Sequence, residues 1–189
     1  MKSVLISTRP KLVEKICHKI GEDETGKAIY EKRIEVRNTA PQEVPFKCYI
    51  YETKGQYVKF THGAHTKYGY GRGKVIGWFV CNLVDEYPYD YCDGVDIDDD
   101  TILETAIDRE DINIYAKGKT LYGWHISDLT LYDKPKELSE FYTKKKCNSC
   151  NKSGYESTAC MYDEDCKVPM SITRAPQSWQ YIEDLGEEE

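Results

Sequence analysis

The segment 31–37 brings Lys32, Glu35 and Arg37 within a few residues of one another, around two apolar residues. In a β-strand the two apolar residues point to one face, so a rigid element carries both signs of charge beside them. That combination suits recognition of an anion, hydrogen bonding to the edge of a base, or proton transfer. The alternative is a solvated sheet edge, where charged side chains discourage aggregation.

A second candidate site is the stretch from Lys54 to Lys74, which contains basic residues such as Lys67 and Arg72 but no acidic residue. Tyrosines, histidines and glycines are interleaved with these cations. Basic side chains bind phosphates, aromatic rings stack on bases, and glycines let the backbone come close. The stretch therefore predicts contact with nucleic acid. The alternative is a hairpin loop whose charges are only solvated.

Four cysteines near the end of the chain have the spacing Cys-x2-Cys-x9-Cys-x5-Cys: Cys147, Cys150, Cys160 and Cys166. Their thiolates can close a tetrahedral site around Zn²⁺, and four protein ligands indicate a structural rather than a catalytic metal. The residues between them cannot bury a core, so this segment is expected to need the metal for order. Disulfides or free thiols are the alternative. The remaining cysteines are interpreted as small core hydrophobes: Cys17, Cys48, Cys81 and Cys92.

The bulk properties narrow the function classes. The chain has 189 residues, a net charge of -7 and a pI of about 5.2, which argue against retention on nucleic acid by global charge. No stretch approaches the roughly 20 apolar residues of a membrane span. The apolar stretch at the N-terminus is interrupted by the charged residues Arg9 and Lys11, so it is too short for a signal peptide. These features predict a cytoplasmic protein with reduced cysteines.

Acidic residues are concentrated between Asp85 and Asp111. The alternating aspartates around Asp98 hint at a calcium loop, but Thr101 stands where such a loop needs its glycine. The stretch is therefore predicted to be an acidic, solvated linker.

Apolar periodicity defines the elements that must position these residues. A helix is predicted from Pro10 to Ile20, and Gly21 ends it. Two further short helices are predicted at Thr101–Ile107 and Asp108–Ala116. Strands are predicted at Val4–Thr8, Glu31–Asn38, Phe46–Thr53, Val75–Val84, Leu121–Tyr132 and Arg174–Ile182. The fold class is α+β.

Two of these segments, Ser7–Lys11 and Glu31–Arg37, resemble the ASCH family of the PUA-like superfamily. The second is similar to the family's Gly-x-Lys-x-x-Glu-x-Arg-like segment. Later strands of the family resemble Tyr49–Thr53, Val75–Phe79 and His125–Leu129. The resemblance covers most of residues 1–142 and 174–182. The chain is similar to uncharacterised ASCH members of bacteria and their phages that carry a cysteine cluster.

The resemblance implies a small mixed β-barrel with flanking helices, formed by residues 1–142 and 174–189. Residues 143–173 are then a zinc-ribbon-like insertion before the last strand. The resemblance also implies a cleft that binds RNA or a modified nucleotide. The residues expected to bind there are Arg9, Lys32, Glu35, Arg37, Lys67, Arg72 and Trp179.

Some members of the family are enzymes. In one group, an amidohydrolase, a lysine and a threonine of this strand act with a distant glutamate. Lys32 matches the lysine, but Glu35 stands in the place of the threonine. Another group is proposed to cut RNA with lysine, tyrosine and serine, for which Lys32, Tyr30 and Ser127 are candidates. Binding of RNA or a modified nucleotide is thus favoured over a hydrolase activity in which Lys32 and Glu35 are the catalytic residues. A second alternative is a phage-encoded regulator that docks on a host protein through its acidic stretch or its cysteine segment.

Overall fold

The computed structural model of this chain describes residues 1–55, 72–146 and 167–183. Within these ranges the protein has three α-helices and an α+β architecture, as predicted. The helices are α1 (Pro10–Cys17), α2 (Asp99–Thr105) and α3 (Arg109–Ala116). The strands are β1 (Lys2–Thr8), β2 (Lys19–Glu22), β3 (Ala28–Tyr30), β4 (Ile34–Arg37), β5 (Phe46–Glu52), β6 (Lys74–Cys81), β7 (Val84–Tyr87), β8 (Tyr89–Asp90), β9 (Gly94–Val95), β10 (Leu121–His125), β11 (Ser127–Lys136), β12 (Tyr142–Lys146), β13 (Lys167–Ser171) and β14 (Trp179–Ile182).

A five-stranded sheet in the order β11-β6-β5-β1-β14 forms the main layer. Strands β1 and β5 are parallel, and the other neighbours are antiparallel. Apolar residues alternate along these strands, so one face packs against α1 through Val13 and Ile16. The opposite face covers a second core that includes Phe141 and Ile172. Both faces of the sheet are therefore buried.

A three-stranded sheet in the order β4-β10-β7 lies against the first core. Trp124 of β10 is fully buried there, with its ring at 5.1 Å from that of Phe46 in an edge-to-face contact. The predicted strands 75–84 and 121–132 each divide into two, because the chain passes from one sheet to the other. A hydrogen bond of 3.0 Å from the His125 amide to the Leu83 carbonyl holds the two passages together.

The expected closed barrel is wrong for the described residues, whose sheets are open. The physical reason lies at the outer edge of β4. There the amide of Arg33 donates to the carbonyl of Glu104 at 2.8 Å, so the end of α2 takes the place of a further strand. The carbonyl of Ile34 accepts from the Lys32 side chain at 2.7 Å instead of from a strand amide. The sheet ends at this strand.

The first predicted helix is too long. Helix α1 ends at Cys17, and the chain turns into the hairpin formed by β2 and β3. Ile20, which had extended the helical pattern, is 56% exposed in β2. The pairing of Lys19 with Tyr30 and the bond from the Glu31 amide to the His18 carbonyl (2.9 Å) supply hydrogen bonds that the helix would have to give up.

The acidic stretch is not a linker. It contains three strands and α2, and the predicted helices are confirmed with slightly shifted ends. The aspartate alternation has a local cause, since the Asp98 carboxylate accepts from the Thr101 amide at 2.8 Å and so caps α2.

A two-stranded ribbon, β12 with β13, lies at the two ends of the expected insertion 143–173, where no individual strands were predicted. It begins after a short 3₁₀ helix (Leu138–Glu140) and continues to the pair formed by Lys146 and Lys167. The Ile172 amide donates to the Phe141 carbonyl at 2.8 Å and so extends the ribbon by one position, and the Glu183 amide after β14 donates to the Tyr142 carbonyl at 2.9 Å and joins the ribbon to the main layer. None of the described helices is long and apolar enough to cross a membrane.

Candidate functional site

Strand β4 carries the candidate site between the two sheets. All four of its residues are buried, so the alternative of a solvated edge is wrong. Ile34 and Val36 pack into a core shared with α3 and Tyr87. Glu35 and Arg37 alternate with them and lie on the face toward the five-stranded sheet. The charged face of the strand is thus enclosed by the fold.

Arg37 connects β4 to the end of β1. Its Nη2 donates to the carbonyl of Ser7 at 3.0 Å and to Oγ1 of Thr8 at 3.3 Å. The same atom lies 2.7 Å from Oε1 of Glu35. Lys32 Nζ lies 3.4 Å from the other oxygen, Oε2. One carboxylate therefore stands between two cations, and the structure brings together the three residues predicted from the sequence.

Burial makes this arrangement costly unless the charges compensate one another. Lys32 is 0%, Glu35 2% and Arg37 6% exposed. An ionised side chain that is removed from water loses several kcal/mol of solvation, and opposite charges with hydrogen bonds recover it only in good geometry. Lys32 and Arg37 both lie close to the one carboxylate of Glu35, which supplies this compensation.

Lys32 has a structural role that the sequence did not reveal. Its ammonium donates to the carbonyls of Ile34 and Thr105, both at 2.7 Å. Thr105 ends α2, and the neighbouring carbonyl of Ala106 accepts from Lys15 Nζ at 2.9 Å. Lys32 therefore caps the carboxyl end of α2 with a positive charge, where the helix leaves carbonyls unpaired. Two of its three donors are thus used in hydrogen bonds, and the ammonium is in addition ion-paired with Glu35.

Burial also lowers the pKa of Lys32 below its ordinary value, and this effect outweighs the opposing attraction of Glu35. Between the lowered pKa and 10.5, the unfolded chain binds more protons at this residue than the folded protein does. The free energy of unfolding therefore rises with pH across this interval because of Lys32.

The variant Lys32→Met removes this dependence. We expect the difference in unfolding free energy between wild type and variant to widen as the pH is raised from about 8 toward the ordinary lysine pKa. Urea unfolding across this pH range measures it. The control variant is Lys117→Met, which removes an exposed lysine from the surface. A constant difference for Lys32→Met would contradict the assignment.

Three buried polar atoms on this face have no hydrogen-bond partner among the described residues: Oε2 of Glu35, Nε of Arg37 and Nε1 of Trp124. Trp124 stands opposite Glu35 in the pairing of β10 with β4, so the two side chains share a face. Glu35 Oε2 has the Lys32 ammonium at ion-pair distance but without hydrogen-bond geometry. One acceptor and two donors are thus available between the sheets.

Trp179 lies beside this group but is engaged in packing. Its indole nitrogen donates to Oγ1 of Thr39 at 2.9 Å. Its ring contacts those of Trp124 and Tyr181 edge to face, at 5.6 and 5.3 Å. Trp179 therefore forms a wall of the site, and its ring is held in place by both neighbours.

The predicted phosphate contacts are only partly placed. Arg9 is exposed and precedes α1 as its N-cap residue, without a capping bond from its side chain. It follows Thr8 directly in the chain, and Thr8 is one of the residues that Arg37 contacts. Arg72 is exposed. Lys67 and most of the basic-aromatic stretch lie outside the described residues.

The residues of the ribonuclease alternative are not joined by hydrogen bonds among the described residues. Tyr30 lies half-buried in β3, and Ser127 lies half-buried at the start of β11. In the described ranges, no hydrogen bond joins either of them to Lys32. His125 instead pairs with Asp85 at 2.7 Å, on the far side of β10 from Trp124.

The cysteine interpretation is confirmed for three residues and wrong for one. Cys48 and Cys81 are buried and Cys17 is largely so, whereas Cys92 is exposed in the turn between β8 and β9. Burial raises the pKa of the Cys48 thiol well above its ordinary value, against the opposing effect of Arg37. Cys48 is therefore a neutral thiol of the core. Cys147, Cys150, Cys160 and Cys166 lie outside the described residues.

Two participants were missed from the sequence. Trp124 was not among the candidate site residues, although its side chain shares a face with Glu35 and its buried indole nitrogen has no partner among the described residues. Glu52 is 2% exposed and pairs in register with Thr8 at the ends of the two parallel strands. Parity along β5 places Cys48 and Glu52 on one face, but only the parallel pairing of β1 with β5 brings them near β4.

No protein-family profile matches the sequence, and no curated protein matches it significantly. Solved structures do match. The crystal structure of ASCH from Zymomonas mobilis is 14% identical and superposes with a TM-score of 0.51, over 96% of this chain and 88% of that chain. A tyrosine-to-phenylalanine variant of the same protein gives 13% identity and a TM-score of 0.51, over 97% of this chain and 91% of that chain.

The likeness extends over nearly the whole length of both proteins. At so low an identity it is a statement about the backbone and not about the site residues. The chain has the fold of the ASCH-domain proteins.

Proposed function

We propose that this protein binds RNA or a modified nucleotide in the space between β4 and the five-stranded sheet. The observation that supports this most directly is the set of unpartnered polar atoms on Glu35, Arg37 and Trp124. A buried polar atom without a partner costs about 1–3 kcal/mol. A ligand that supplies the missing partners recovers this cost, and a ligand that lacks them is rejected.

The chemistry of these atoms fits the edge of a base. Glu35 Oε2 accepts from an exocyclic amine, and Nε of Arg37 and Nε1 of Trp124 donate to ring nitrogens or carbonyl oxygens. Because Glu35 and Arg37 are almost inaccessible, the base must be unstacked and inserted edge first. This favours single-stranded RNA or a free nucleotide over a duplex. Arg9 outside the site holds a flanking phosphate.

To test this, the binding of single-stranded RNA and of mononucleotides is measured by tryptophan fluorescence at several salt concentrations. Glu35→Gln preserves the shape of the side chain but removes its charge, and we expect it to weaken binding by about tenfold or more. Arg9→Ala should reduce the salt slope by roughly 0.7, as expected for one lost phosphate contact.

Lys117→Ala removes an exposed cation at the end of α3, and we expect it to leave binding unchanged. The proposal fails if Glu35→Gln folds like wild type and binds every tested RNA and nucleotide with wild-type affinity.

The hydrolase alternative has weaker support. A general base needs a lone pair near the substrate, whereas the Lys32 ammonium is buried, donates to the carbonyls of Ile34 and Thr105 and is ion-paired with Glu35. The test is whether the protein releases acetate from acetylcytidine or cleaves RNA. If it does, and if a folded Lys32→Met variant loses this activity, the hydrolase alternative is favoured over simple binding.

We further propose that Cys147, Cys150, Cys160 and Cys166 hold a structural Zn²⁺. The cysteine spacing supports this, together with the ribbon on either side of the segment. Because Lys146 pairs with Lys167, the chain enters and leaves the cysteine segment at adjacent positions of the ribbon. The first and last cysteines follow and precede this pair directly, and ligands from neighbouring chain ends suit a tetrahedral site.

Protein purified with zinc present is expected to retain about one Zn²⁺ per chain after dialysis, measured by atomic emission. Cys150→Ser should lose the metal, because three thiolates leave one position of the tetrahedron open. Cys92→Ser is the matched control, since that cysteine is exposed in a distant turn, and it should retain the metal. Wild-type protein without zinc, and without thiolate absorption bands after Co²⁺ addition, would contradict the proposal.

A further inference from the structure

A surface formed by α2, α3 and the turn between β8 and β9 combines carboxylates with exposed apolar side chains. On α2, Asp99 and Asp100 lie one turn before Leu103, which is 72% exposed. Residues four apart stand on the same side of a helix, so charge and apolar surface are adjacent there.

Helix α3 repeats this pattern. Glu110 and Asp111 are exposed in its first turn, and Ile114 and Tyr115 follow on the same side, 64% and 38% exposed. The opposite side of the helix carries the buried Ile112. An aliphatic side chain on the outer side of a helix is not used by the fold itself.

The turn between β8 and β9 adds Tyr91, which is 89% exposed. This hairpin is fixed to α3, because the Val95 amide donates to Oδ1 of Asn113 at 2.9 Å. The ring of Tyr91 lies 3.9 Å from where a Cβ at Gly118 would be, just beyond the end of α3. Tyr91 and the outer side of α3 therefore belong to one surface, here named the acidic face: Asp90, Tyr91, Asp93, Asp99, Asp100, Leu103, Glu110, Asp111, Ile114 and Tyr115.

The acidic face carries six carboxylates against three nearby cations, Arg109 and the exposed Lys117 and Lys119 at the end of α3, so its net charge is negative. Arg109 donates hydrogen bonds to the Asp99 carboxylate at 2.9 Å and to the carbonyl of Ile97 at 2.7 Å. In the part of the chain that the structure describes, Glu110 and Asp111 form no salt bridge. Two of the most exposed large apolar side chains of the described residues, Tyr91 and Leu103, stand within this negative field. Solubility alone would explain the carboxylates but not the apolar side chains.

We propose that the acidic face is a docking surface for a basic protein segment that also carries apolar side chains. Charge complementarity identifies the occupant, since uncompensated carboxylates attract Lys and Arg and repel phosphates. The apolar side chains of α2, α3 and the turn are the contacts that are desolvated on binding, and the carboxylates form the polar rim. This surface goes beyond the proposed nucleotide site, which lies on the other face of β4.

The experiment compares two fluorescent peptides with equal numbers of lysines, at about 150 mM salt. One peptide places leucines at helical spacing between the lysines, and the other is oligolysine. We expect the full-length protein to bind the leucine-containing peptide at least about tenfold tighter, because only this peptide buries apolar surface. Fluorescence anisotropy gives both affinities.

The double variant Leu103→Ser with Ile114→Ser should remove this preference and leave the weak affinity for oligolysine unchanged. Both residues are exposed, so the thermal midpoint should stay near that of wild type. The control is Ile20→Ser with Leu83→Ser, which removes exposed apolar side chains elsewhere, at 56% and 50% exposure. It should retain the preference.

Equal affinity for both peptides, or equal loss in the control, would overturn the proposal. Self-association of the wild type that disappears in the double variant would also overturn it, since the occupant would then be a second copy of this chain. A failed RNA-binding test does not affect this experiment, because Glu35 and Arg37 are unchanged in all its variants.

Discussion

Glu35→Ala is expected to lower the free energy of unfolding by about 3–5 kcal/mol at neutral pH. The Glu35 carboxylate lies 2.7 Å from Arg37 and 3.4 Å from Lys32, and the structure buries all three side chains. Removal of the carboxylate leaves two cations close together, away from water and without a counter-charge. The loss of a buried ion-pair partner is among the most costly single changes in proteins, because the remaining charges stay desolvated.

Urea unfolding, followed by circular dichroism, measures this effect. Glu110→Ala is the control, because Glu110 is exposed on α3, and the change is expected to stay within about 0.5 kcal/mol of wild type. If Glu35→Ala lost less than about 1 kcal/mol, the two cations would have to be hydrated in the folded state, and the enclosed site would be refuted.

Gly77→Ala is expected to destabilise the protein by about 3 kcal/mol or more. Gly77 lies in the middle of β6, where a Cβ would meet the Thr130 carbonyl oxygen at 2.2 Å and the Leu131 Cα at 2.9 Å. Both atoms belong to the backbone of β11, whose pairing with β6 shifts register next to them. Backbone cannot move aside as a side chain can, so β11 must separate from the main sheet.

The control is Gly21→Ala in the exposed strand β2, where a Cβ has no neighbour within 4 Å. This change should be neutral or slightly stabilising, because alanine restricts the unfolded chain more than glycine does. Thermal unfolding of both variants makes the comparison. A loss of less than about 1 kcal/mol for Gly77→Ala would mean that β11 is held more loosely against β6 than the structure describes.

Local patterns predicted most of the individual elements. The alternation in Phe46–Glu52 identified β5, and the apolar run after Lys74 identified β6, because a strand that is buried on both faces must be apolar throughout. Proline at the first position marked the start of α1. The end of α1 was mispredicted, since hydrogen bonds to β3 decide it, and β3 lies later in the chain.

In the candidate site, too, the sequence predicted the local features and missed the contacts between distant segments. The sequence indicated that Lys32, Glu35 and Arg37 act together, because their spacing on one strand is a local property. It could not show that Lys32 is directed to the end of α2, since Thr105 lies 73 residues away in the chain. For that reason the sequence left the hydrolase alternative open. That alternative loses support only because the structure shows the Lys32 ammonium engaged by Ile34, Thr105 and Glu35.

By itself the sequence determines which strand carries the charges, which segments alternate, where acid is concentrated and which cysteines have the spacing of metal ligands. These properties depend on neighbours within a few residues, where backbone geometry is regular. The tertiary structure alone decides that Trp124 faces Glu35, that the end of α2 closes the edge of β4, and that the acidic stretch folds into an exposed face. Each of these outcomes depends on contacts between distant segments, whose energies outweigh local preference.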